Sequence, residues 1–107
     1  MINPKFVPWF IAVAKKTAIN PQALMKISND LTKHNPKLLK HNNFFAVKPR
    51  DTEKDFHKYK TPHDGIQAGV DIITRHPKFQ QNKIGTLKAN ENLQYQKLRE
   101  LLNLSTS

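Results

Sequence analysis

Asn42-Asn43-Phe44-Phe45-Ala46-Val47-Lys48, followed by Pro49-Arg50-Asp51-Thr52, is the stretch that separates an all-helical reading of this chain from a mixed one. The tetrapeptide 44–47 is aromatic and branched, which suits a short strand, and the run 49–52 has turn chemistry. Together they predict a hairpin returning through residues 53–60, with Phe56 and Lys58 on one face and Asp55, His57 and Tyr59 on the other. A two-stranded unit this small needs helices to pack against.

Helices are indicated on both sides. Upstream, Phe6, Val7, Phe10, Ile11 and Ala14 recur at helical spacing. Asn20-Pro21 then reads as a cap followed by proline at the first helical position, where the missing N–H is harmless. This second helix runs to about residue 33 with Ala23, Leu24, Ile27 and Leu31 as its apolar stripe, and His34-Asn35-Pro36 ends it. Residues 36–40 form a short turn or one helical turn. Downstream, Thr61-Pro62-His63-Asp64 is a helix start with a hydroxyl cap and an acid near the positive end of the dipole. Ile66, Val70 and Ile73 trace its buried face up to His76-Pro77. Gly69 inside that helix costs about 1 kcal/mol relative to alanine, which points to close packing by another element. Residues 78–90 are less regular, and a last helix over residues 92–104 buries Tyr95, Leu98, Leu101 and Leu102. The expected architecture is α+β and mostly helical: a single domain over residues 1–107 with a small β-hairpin lobe between helices 2 and 3.

At 107 residues and 37% hydrophobic content, the chain supports one compact core. Eighteen Lys and Arg against eight Asp and Glu leave a charge of +10, which calls for an anionic partner: nucleic acid, a membrane surface or a cell-wall polymer. Residues 1–50 hold nine of the basic residues and a single acid, Asp30, so the basic surface belongs mainly to the first half. Without cysteine there is no disulfide, thiolate nucleophile or Cys-based zinc site. Ala12-Val13-Ala14 mimics a signal-peptidase site, but Pro8 interrupts the apolar run and Lys15-Lys16 follow it at once, so the run reads as an ordinary helix. No segment approaches the roughly 20 apolar residues of a membrane span.

Five segments resemble the bacterial glucosaminidase family, the lysozyme-like peptidoglycan hydrolases that include autolysins and flagellar cell-wall hydrolases. AKKTAINPQALM (14–25) is similar to the family's turn into the helix that bears the catalytic acid. NNFFAVK (42–48) resembles the Asn-Asn-aromatic-Phe-Gly-Ile-Lys signature that opens its β lobe, with Ala46 in place of the glycine. FHKYKTPHDGIQAGV (56–70) and HPKF (76–79) match its Phe-x-x-Tyr-x-Ser/Thr-x-x-x-x-Ile and Asn-Pro-Arg-Tyr patterns. YQKLRELLNL (95–104) resembles its closing helix. The resemblance spans residues 10–104 in the right order. It implies a lysozyme-like fold, peptidoglycan glycan strands as partner, no cofactor, and a cleft between the helical body and residues 44–60.

The family's proton donor is a glutamate near the end of the second helix, and none stands there. With Ile27 at zero on a helical wheel, Leu31 falls in the core stripe at about 40°, Asn29 on the far side at about 200°, and Asp30 about 60° off at the stripe's edge. Asp30 is therefore the candidate acid. Among Asp51, Glu53 and Asp55 in the hairpin, Glu53 is the candidate second carboxylate, being the longest and nearest the tip. The resemblance makes Asn43, Phe45, Lys48 and Tyr59 the candidate substrate-binding residues. The absent glutamate leaves two outcomes: a diverged lytic enzyme, or a glycan-binding structural or wall-binding protein, for instance of a phage particle or the bacterial cell envelope. The composition, rich in Lys, Asn, Ile and Phe, fits a bacteriophage product. A small basic nucleic-acid-binding protein is the rival from a different class, and Lys33, His34, Lys37, Lys40 and His41 form a cluster able to follow a phosphate backbone or an anionic glycan. The five histidines show no compact metal-ligand spacing, and neither a serine nucleophile nor a glycine-rich phosphate loop is indicated.

Overall fold

The computed structural model describes residues 2–49 and 55–104. Its helices are α1 (Val7–Lys15), α2 (Pro21–Thr32), α3 (Pro36–Lys40), α4 (Pro62–Arg75), α5 (Pro77–Gln81) and α6 (Glu91–Leu101), with 3-10 turns at Pro4–Phe6 and Ile84–Leu87. Their starts follow one local rule. Asn3, Asn20, Asn35, Thr61 and His76 each precede a proline, and each side chain accepts a hydrogen bond from a backbone N–H of the first turn. Such a cap satisfies an orphan donor, and the proline brings no N–H that would need a partner.

The helices form one mostly helical body around a single apolar cluster. α2 packs on α1 and α6, and α1 also packs on α4. Phe10, Val13, Leu24, Ile27, Phe44, Ile66, Ile73, Ile84 and Leu98 are buried at its centre. The radius of gyration, 13.0 Å, is the value of about 13 Å expected for one compact domain of this length. Two polar side chains tie the second half of the chain to the first. Gln94 is fully buried, accepting from Asn20 N and donating to the carbonyls of Ala18 and Ile84. The ammonium of Lys88 donates to the carbonyls of Ala14 and Thr17 at the C-terminal end of α1, where free carbonyls and the helix dipole favour a cation.

The hairpin lobe expected between the second and third long helices is not found: the described residues contain no strand. Residues 43–49 and 55–60 instead run as two irregular arms joined by one backbone bond, His57 N to Val47 O at 2.9 Å. A strand over 44–47 requires extended backbone throughout, whereas Ala46 has φ +53°. The ladder is replaced by side-chain amides, as described next. The expected turn at 50–52 and the first return residues, 53 and 54, lie outside the described residues.

Candidate functional site

Asn42 and Asn43 organise the arms. Asn43 is buried, and its amide makes four bonds: Nδ2 donates to Val47 O (2.8 Å) and His57 O (2.9 Å), while Oδ1 accepts from Val47 N (3.0 Å) and Phe45 N (3.4 Å). Asn42 Nδ2 donates to Tyr59 O, and Tyr59 N donates to His41 O. Two asparagine side chains thus do the pairing that strand backbones would do. They supply partners for backbone groups that no strand ladder pairs.

This assembly lies against two helices. The hydroxyl of Ser28 on α2 donates to Phe44 O at 2.6 Å, and on α4 the glycines at 65 and 69 leave room for the arm. A β-carbon on Gly65 would stand 1.7 Å from Asn42 O, and one on Gly69 would stand 2.1 Å from the Phe45 ring. Gly65 and Gly69 are one helical turn apart, so they make one continuous seat. Close packing at Gly69 is legible as a glycine in a helix interior; Phe45 as the occupant is not.

The candidate residues fall into separate places. Phe45 is buried in this seat, and Asn43 is the internal bracket. Tyr59 is half-buried with its ring centroid 4.5 Å from that of His57, and burial raises its hydroxyl pKa above the ordinary value. Lys48 is exposed, its ammonium 5.1 Å from the centroid of the Phe56 ring. Glu53 lies outside the described residues. Asp30 is not beside the arms. Leu31 is the α2 residue that lines a small apolar cavity of about 110 Å³ with Phe45 and Val47.

Asp30 faces α6 instead. The hydroxyl of Tyr95 donates to its Oδ2 at 2.5 Å, and Arg99 Nη1 donates to the same hydroxyl oxygen at 3.5 Å. Lys26 and Arg99 both flank the Tyr95 ring, at 5.4 and 5.6 Å from its centroid, and Lys26 pairs with Glu91 at 3.2 Å. The pKa of Tyr95 is raised, first by burial and then by the adjacent Asp30 carboxylate, with Arg99 pulling the other way. Between α2 and α6 runs a groove of about 570 Å³ lined by Lys26, Asn92, Tyr95, Gln96, Arg99 and Glu100. Amides, a guanidinium and an aromatic side chain together suit hydroxyl and acetamido groups. Reading the last helix as a core helix hides this polar side of it. The signal available in the sequence is the interleaving of Asn92, Gln96 and Arg99 with the apolar stripe.

A second groove, of about 460 Å³, lies between α3 and the arm 55–60. Among the described residues no group of three or more His, Asp or Glu is placed to hold a metal ion, and no helix is long and apolar enough to cross a membrane. Compared with protein-family models, curated proteins and solved structures, the chain matches none.

Proposed function

We propose that this chain is a lysozyme-like domain of the glucosaminidase type that binds peptidoglycan glycan strands without cutting them. The observation that carries the reading is the state of the carboxylates around the α2–α6 groove. Asp30 accepts from Tyr95 and Glu91 from Lys26, while Glu100 forms an ion pair with Lys97 at 3.6 Å. Each already faces a donor or a cation, whereas hydrolysis needs a carboxyl group that delivers its own proton to the leaving oxygen. The exposed side-chain amides of Asn92 and Gln96 line the groove and suit saccharide hydroxyls.

The glucosaminidase likeness draws further support from the arm. The signature's glycine falls at Ala46, which holds a left-handed backbone at φ +53°, the conformation that glycine adopts at least strain. The asparagine pair that opens the signature ties the two arms to each other.

The test is co-sedimentation with purified sacculi alongside a reducing-sugar assay. Retention without sugar release, unchanged in Asp30→Asn, is expected. Sugar release abolished by Asp30→Asn or Glu53→Gln would establish a lytic enzyme instead. Absence of retention on sacculi of any treatment, with tight salt-sensitive DNA binding, would establish the nucleic-acid reading.

A further inference from the structure

The groove between α3 and the arm 55–60 gathers charge that the sequence keeps apart. Lys37 and Lys40 are three residues apart on α3, hence on one face, and Lys58 comes from the arm. Tyr59 N donating to His41 O at 2.9 Å ties the arm to the end of α3, and Leu39 packs α3 against the core. Lys48 adds an ammonium at the rim through its contact with Phe56, and Asp55 is the acid lining the groove. All four lysines are exposed, and none of them forms an ion pair among the described residues. Four like charges with one acid among them create a positive field directed at solvent.

We infer that this groove binds the phosphate groups of polyol-phosphate chains carried on the bacterial wall, an inference that rests on the glycan-binding reading above. The lining chooses among polyanions. Lysine is a hydrated point charge that suits phosphate, and the groove holds no Arg, Asn or Gln for the bidentate contacts that read base edges. Its rings are one half-buried phenylalanine already covered by Lys48 and the half-buried imidazole of His41, so successive bases find no run of exposed aromatic faces to stack on. What is left is recognition of repeated negative charge on a chain without bases.

The experiment measures affinity of the full chain for poly(glycerol phosphate) and for single-stranded DNA of equal charge, and its retention on sacculi before and after phosphodiester removal. A Lys37→Gln/Lys40→Gln/Lys58→Gln variant is compared with a Lys15→Gln/Lys16→Gln/Lys78→Gln control of the same net charge, with folding checked by melting temperature. The groove variant is expected to lose about tenfold or more in affinity for poly(glycerol phosphate), and the control about twofold at most. Equal losses in both variants, no binding of poly(glycerol phosphate), or tighter binding of DNA would overturn the inference. Retention on stripped sacculi that equals retention on intact ones also counts against it, while leaving the glycan reading standing. Lack of retention on both kinds of sacculi removes the glycan reading, and binding of poly(glycerol phosphate) in solution still decides the groove.

Discussion

The ring of Phe45 occupies the space where a β-carbon on Gly69 would stand, 2.1 Å from its Cδ2. Gly69→Ala therefore forces the ring, and the arm carrying it, away from α4. The helix gains about 1 kcal/mol of propensity from alanine, but overpacking a buried contact costs roughly 1–3 kcal/mol, so a net loss is expected in urea unfolding. Gly65→Ala should be worse, because the β-carbon meets the carbonyl of Asn42, a backbone group that no rotamer change moves aside. Equal or greater stability of Gly65→Ala would show that the arm does not lie in this seat.

Ala46 tests the arm from the other side. An alanine at φ +53° carries a steric penalty that glycine lacks, of about 1–2 kcal/mol, and the greater freedom of glycine in the unfolded chain returns part of it. Ala46→Gly is expected to stabilise the protein by roughly 0.5–1 kcal/mol, read as a higher denaturant midpoint at unchanged slope. Destabilisation would mean that residue 46 is not in the left-handed region.

Asn43→Ala removes all four amide bonds and leaves the carbonyls of Val47 and His57 without that donor. Four hydrogen bonds at about 0.5–1.5 kcal/mol each are lost together, so a loss of roughly 2–4 kcal/mol is expected. Asn42→Gly, which gives up one side-chain bond while keeping the left-handed backbone at φ +57° without strain, should lose about 1 kcal/mol. If the two variants unfold alike, Asn43 is not the bracket.

Alkaline pH should weaken the contact between α2 and α6. The pKa of Tyr95 is raised in the folded state, so the folded protein holds this proton more tightly than the unfolded chain does. The resulting stabilisation is complete below the unfolded value of about 10 and is lost as pH rises through the folded value. Unfolding midpoints measured from pH 8 to 11 should therefore fall less steeply for Tyr95→Phe than for the wild type. Parallel curves would remove Tyr95 as a source of the slope.

The helices were readable because their determinants act over a few residues. A cap–proline dipeptide sets the start of α2 at Pro21 and of α4 at Pro62, and Ile66, Val70 and Ile73 mark a buried stripe by spacing alone. The arm was not readable in the same way. Its aromatic and branched residues have strand propensity, but its conformation depends on an asparagine amide reaching His57, fourteen residues away, and on a glycine seat in α4. The expected strand alternation, with Phe56 and Lys58 on one face and Asp55 on the other, is not found: the arm is no strand, and all three line the groove beside α3.

Asp30 shows the same division. Its place at the edge of the apolar stripe follows from helical periodicity, and that edge is indeed half-buried. Which neighbour covers the edge follows from packing: Tyr95, sixty-five residues along the chain, reaches it because α6 lies against α2. Sequence by itself determined the starts of α2 and α4, the main apolar stripes and the excess of positive charge, since backbone sterics, capping and spacing are local; it missed α5 and ran the last helix three residues past Leu101. Tertiary structure alone decided that Asp30 meets a tyrosine rather than the arm, and that Lys58 joins Lys37 and Lys40. Contacts between distant segments come from burying apolar faces together, and that burial places whichever polar residues happen to border them.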